Sequence, residues 1–76
     1  MPPVLIVIPV FNEAEYLGPV LRGLRRHAPG LDVLVVDDGS DDQSAAIARE
    51  EGALLVQHAY NAGYGVAIQT GLKYAL

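Results

Sequence analysis

Asp37 and Asp38 stand side by side, followed at once by Gly39 and Ser40. Paired carboxylates accept hydrogen bonds from hydroxyls and N–H groups, and they attract divalent cations. Gly39 permits a sharp turn that brings the next residues back over them. Two more polar stretches carry groups of the same kind: Phe11-Asn12-Glu13, and the run from His58 to Gly65. Together they offer acidic, amide and hydroxyl groups, the set that suits a nucleotide. Ribose hydroxyls and base N–H groups would donate to the carboxylates. A pyrophosphate nearby would need a divalent cation or helix N-termini to offset the repulsion. Each group also has a plainer reading. Asp37 and Asp38 could be a solvated strand end, and Glu13 a partner of a helix dipole. Gly63 and Gly65 form only a lone G-x-G and could be packing glycines. His58 reads as a solvated loop residue, because no second histidine or cysteine lies nearby in sequence to complete a metal set.

The elements around these groups explain why they should meet. Val33 to Val36 is a continuous apolar, β-branched run ending at Asp37, the pattern of a strand buried on both faces. Val4 to Ile8 is a second such run, expected to stop at Pro9. Ala53 to Gln57 is a third. Between the first two lies a helix with apolar Leu17, Val20, Leu21, Leu24 and Ala28 on one face and arginines 22, 25 and 26 mainly on the other. Asn12 and Glu15 have the spacing of a capping box. Gly18-Pro19 nevertheless predicts a short turn over residues 14–17 and a regular helix only from about Gly18. Ser40 and Gln43 have the spacing of a capping box for a second helix, from Asp41 to about Glu51, with Gly52 just past its end. A last helix should start at Asn61 or Ala62 and run to the end of the chain, with Gly65 and Gly71 allowing it close to the sheet. The order β-α-β-α-β-α gives an α/β fold with a parallel sheet, since crossovers are right-handed. All three polar loops then lie at one sheet edge, where ligands of open α/β sheets bind.

Composition narrows the classes. The chain has 76 residues, a formal net charge of −4 and 51% hydrophobic residues. That is one domain at most, with enough apolar residues for a core. The acidic balance leaves no basic stripe for nucleic acid. Cysteine is absent, so disulfides and thiolate metal sites are unavailable. The short apolar run after Met1-Pro2-Pro3 is too brief for a signal peptide or membrane span, so a cytoplasmic location is expected.

Three motifs resemble the opening of family 2 glycosyltransferases: I-P-V-F-N-E at 8–13, V-V-D-D-G-S-D-D at 35–42 and N-A-G-Y-G-V-A-I-Q-T-G at 61–71. The last is most similar to the branch of dolichyl-phosphate mannose synthase and other polyprenyl-phosphate sugar transferases. The resemblance implies the three-layer, Rossmann-like half of a GT-A fold and a nucleotide-sugar donor with UDP or GDP. It implies nucleotide-pocket roles for Pro9, Phe11, Glu13, Asp37, Asp38, Gly39, Asn61, Gly63 and Gly65, with Asp38 on the base and Asp37 bracing its loop. It also implies a Mg²⁺ or Mn²⁺ ion in the full-length enzyme and a lipid-phosphate acceptor at the cytoplasmic membrane face. The family's D-x-D motif and catalytic base come later than these motifs. Residues 1–76 are therefore expected to be the nucleotide-binding part, inactive alone, with no catalytic or metal-binding residue of their own. That fold leaves strand 4–8 on an open edge, where self-association is expected.

Other classes fit less well. A dinucleotide-dependent oxidoreductase needs a glycine fingerprint after the first strand, and Pro9-Val10-Phe11-Asn12 is not one. A phosphoacceptor receiver shares only the acidic pair, and carries its own after the first strand.

Overall fold

Three parallel strands form the sheet: β1 (Leu5–Val10), β2 (Asp32–Asp37) and β3 (Leu54–Gln57), in the order β1-β2-β3. Two helices connect them, α1 (Ala14–His27) and α2 (Ser44–Glu50). The computed structural model describes residues 5–59, 63, 66, 69–71 and 73. Of the last helix, Val66, Gln69, Thr70, Gly71 and Lys73 have helical backbone. Its predicted start, and Gly65, lie outside the described residues.

Strand alternation sorts the core into two faces. Val10 and Val35 pack with Leu17 and Leu21 of α1 and Ala48 of α2. Leu34 and Val36 face the other way, with Leu5, Val7 and Val56 against them. Both helices therefore cover one face, as successive right-handed crossovers in one direction require. The C-terminal helical segment covers the other. A Cβ on Gly71 would run into the Val7 side chain, so glycine there is what allows the close approach. The result is three layers, with β2 buried between them.

Several sequence expectations need correction. Pro9 does not end β1; it pairs with Val36 inside the strand. The reason lies in the ladder. Asp38 N–H donates to the Val10 carbonyl, so Val10 directs its backbone groups at β2 and Pro9 directs its own away. The missing donor falls on the side without a partner among the described residues, where proline is tolerated. Likewise α1 is continuous from Ala14, with Pro19 inside it. Pro19 is exposed, so the carbonyl that loses its donor lies on the wet side of the helix. Val20, expected in the core, is 48% exposed, while Gly18 is buried. Arg22 and Arg25 both bond the Glu51 carboxylate, at 2.6 and 3.1 Å. They tie α1 to the turn after α2 instead of only solvating a face, although such exposed pairs contribute at most about 1 kcal/mol each.

Neither predicted capping box forms. The N-cap positions are Glu13 and Gln43, and neither has a capping side-chain bond. The C-terminal end of α2 does follow expectation. Gly52 adopts φ +80°, its N–H donates to Arg49 O, and Ala53 N–H donates to Ala48 O. This is the paired bonding of a Schellman motif.

Candidate nucleotide site

The β1–α1 loop is built by groups from the β2–α2 loop. Asn12 sits at φ +51°, a left-handed conformation that asparagine tolerates better than most residues. Its N–H donates to Ser40 Oγ at 2.9 Å, and its Oδ1 accepts from Asp41 N–H at 2.8 Å. Glu13 N–H donates to Ser44 Oγ at 3.2 Å and Ala14 N–H to Asp42 Oδ2 at 3.1 Å. Ser44 in turn donates its hydroxyl to Asp42 Oδ1 at 2.6 Å. The amides at the start of α1 are thus capped from across the sheet by Ser40, Asp42 and Ser44. Asn12 and Ser40 are bound to each other, which explains why their predicted local boxes are absent.

Asp37 is 2% exposed and Asp38 1% exposed. They are not a solvated strand end. Asp37 Oδ1 accepts from Ser40 N–H at 3.2 Å, closing the turn that Gly39, at φ +80°, makes possible. Asp37 therefore braces its loop. Asp38 faces the third loop. Its Oδ2 accepts from Gly63 N–H at 2.7 Å, and its Oδ1 lies 2.7 Å from His58 Nδ1. A carboxylate only accepts, so this ring nitrogen carries the hydrogen. The other ring nitrogen, Nε2, lies 2.9 Å from Thr70 Oγ1. His58 is thus no solvated loop residue; only 18% of its side chain is exposed. The local sequence hid this because both partners, 20 and 12 residues away, arrive through the fold. Gly63 is at φ +96°, a conformation that favours glycine, and among the described residues nothing stands where a Cβ would be.

The three loops do converge. Phe11 and Glu13 follow β1, Asp37 ends β2 and Asp38 to Ser40 follow it, and His58 and Gly63 follow β3. Pro9 lies at the same end of the sheet by register. Asn61 and Gly65 are outside the described residues. A cleft of about 430 Å³ opens between Asp37, Gly39, Ser40, Asp41, Gln57, His58 and Ala59. A larger hollow of about 510 Å³ lies between the end of α1, the start of β2 and the α2–β3 turn. It is at the opposite edge of the sheet and touches none of the three motifs, so size does not mark it as the site.

Chemically, this rim offers acceptors. The Asp42 carboxyl is held below its ordinary pKa by the Ser44 hydroxyl bond, which with backbone donors outweighs desolvation. The α1 amides that would greet a phosphate already have side-chain partners. A rim of this kind suits the donor groups of a base and ribose better than a diphosphate. Among the described residues no three histidine, aspartate or glutamate side chains stand together as a metal set. The described residues therefore do not by themselves make a site for a divalent cation.

The comparisons agree with the geometry. Residues 5–76 match the family model Glycosyl transferase family 2. The chain belongs to glycosyl transferase family 2. This family 2 chain is 36% identical over 67 residues to the dolichyl-phosphate hexose transferase of Haloferax volcanii, covering 88% of the chain and 29% of that protein. It is 37% identical over 79 aligned positions to the polyprenol monophosphomannose synthase of Mycolicibacterium smegmatis, covering 95% of the chain and 29% of that protein. A solved mannosyltransferase of Pyrobaculum calidifontis, in complex with GDP-Man and Mn²⁺, superposes with a TM-score of 0.86 at 28% identity. That match covers 99% of the chain and 25% of the other. The family 2 chain thus spans under a third of its relatives. Its sheet is the Rossmann-like part of a GT-A fold, and the oxidoreductase and receiver readings fall away.

Proposed function

We propose that this chain binds the nucleotide part of a nucleotide-diphospho-sugar donor at the rim formed by Pro9, Phe11, Glu13, Asp37, Asp38, Gly39 and Gly63, with Asn61 and Gly65, which lie outside the described residues, proposed as further contacts. The observation that carries the reading is the convergence of three loops on Asp38, whose buried carboxylate joins the second loop to the third. The base and ribose take this acceptor-rich rim, and the diphosphate extends away from the capped start of α1. The relatives' names support a whole protein that transfers a hexose to a polyprenyl phosphate; a GDP- or UDP-sugar donor and a place at the cytoplasmic face of a membrane belong to the same proposal. Transfer, with its divalent cation, is proposed for that whole protein and not for these 76 residues alone. Among the described residues no helix is long and apolar enough to cross a membrane.

Titration calorimetry with GDP and UDP tests the binding. Weak, saturable heat with one of them, with amide shifts at Phe11, Asp38 and Gly63, is the expected result. Absence of heat with both, in a folded protein, overturns the proposal. A second reading concerns the β1 edge. Among the described residues β1 pairs only with β2, and this favours self-association of the chain along Leu5 to Val7.

A further inference from the structure

We infer that His58 is a positioning residue, which fixes the Asp38 carboxylate at the nucleotide rim by spanning from it to Thr70 of the C-terminal helical segment. The inference rests on the nucleotide-binding reading above and adds a residue that reading does not contain.

The geometry is that of a strap. His58 leaves the end of β3, where its backbone N–H donates to the Asp37 carbonyl at 2.8 Å. That bond extends the β2–β3 ladder one step and fixes the position of the His58 backbone beside the acidic pair. The ring then reaches Asp38 Oδ1 with Nδ1 at 2.7 Å and Thr70 Oγ1 with Nε2 at 2.9 Å. Both ring nitrogens are occupied, so the ring has one orientation, and a bidentate ring restricts the carboxylate it holds. The other oxygen of Asp38 accepts from Gly63 N–H at 2.7 Å. Among the described residues, two donors from beyond β3 hold the two oxygens of this carboxylate. One of them is anchored in turn to the helical segment that packs on Val7 through Gly71. Asp38 is itself buried, so what its orientation sets is the position of the Gly63 amide and the His58 ring at the rim, since hydrogen bonds depend on direction. A rim already aligned loses less freedom when the nucleotide arrives, which is how preorganisation raises affinity.

Three variants of the full chain, each checked for folding by circular dichroism, test this. Their binding of GDP and UDP is followed by calorimetry. The free proteins are followed by ¹⁵N NMR of the His58 ring and by hydrogen exchange at the Gly63 amide. His58→Ala should weaken nucleotide binding about tenfold, the size of one lost hydrogen bond to a charged group. His58→Asn, whose side-chain N–H can stand where Nδ1 stood, should recover most of that loss. Thr70→Val should weaken binding by a smaller factor, about threefold. In the free protein a hydrogen on Nδ1 is expected, together with faster Gly63 exchange in His58→Ala. Unchanged affinity in His58→Ala overturns the inference. So does equal weakening in His58→Ala and His58→Asn, which would mark a bulk structural role. Where His58→Ala does not fold, His58→Asn and Thr70→Val decide: Asn near wild type with weakening in Val supports the strap, and any other pattern overturns it. Wild-type protein that binds neither nucleotide removes the proposed function instead. The ring tautomer and Gly63 exchange then still judge the strap by themselves.

Discussion

Asp42 and Ser44 show how much one side chain can settle at this rim. The Ser44 hydroxyl is fully buried and bonds both Asp42 Oδ1 and Glu13 N–H. Ser44→Ala removes both bonds and should cost about 1–2 kcal/mol in urea unfolding. Asp42 has its folded pKa below the ordinary 3.8. A depressed carboxyl stabilises the fold fully above its unfolded value, and the contribution fades as pH falls through the folded one. Stability should therefore decline on the acid side, and Asp42→Asn should flatten that decline. Urea midpoints measured between about pH 5 and pH 2 check this. A decline equally steep in the variant would assign the acid sensitivity elsewhere.

At the scale of elements, the contact between Gly71 and Val7 is the most exacting. Gly71→Ala places a methyl where the Val7 side chain stands, and overpacking of this kind should cost about 1–3 kcal/mol. Val7→Ala in the same chain should recover part of that loss, and a double-mutant cycle in urea measures the coupling. The sequence pointed to Gly71 as a close approach of this helix to the sheet, and left open only that Val7 is the residue met there. The strand pattern was far more informative: the continuous apolar run Val33 to Val36 was enough to mark β2 as a strand buried on both faces. Gly52 likewise marked the end of α2 correctly. The start of α2 was misread because a local box at Ser40 was assumed, while the Ser40 hydroxyl instead accepts from Asn12 N–H across the sheet. Pro19 was taken as a boundary because propensity does not show which side of a helix is wet. His58 was missed because nothing within a few residues of it forecasts Asp38 or Thr70.

For the whole molecule, the sheet is only three strands wide among the described residues, and β1 has a partner on one side. The edge at Leu5 to Val7 is apolar, and unpaired edges of this kind template association. Light scattering across a concentration series should report dimers. A monomer at every concentration would count against the edge as an interface.

Pro9 sets a limit on whatever lies along that edge. A strand running beside β1 finds amide donors at Leu5 and Val7 but none at the next rung, because proline has no N–H to give. Such a neighbour can still donate to the Pro9 carbonyl, but it loses one rung of the ladder there. The loosened rung lies at the end of β1 that leads into Phe11 and the nucleotide rim. Whatever strand occupies that flank is held less firmly just where the rim begins, for want of one hydrogen atom.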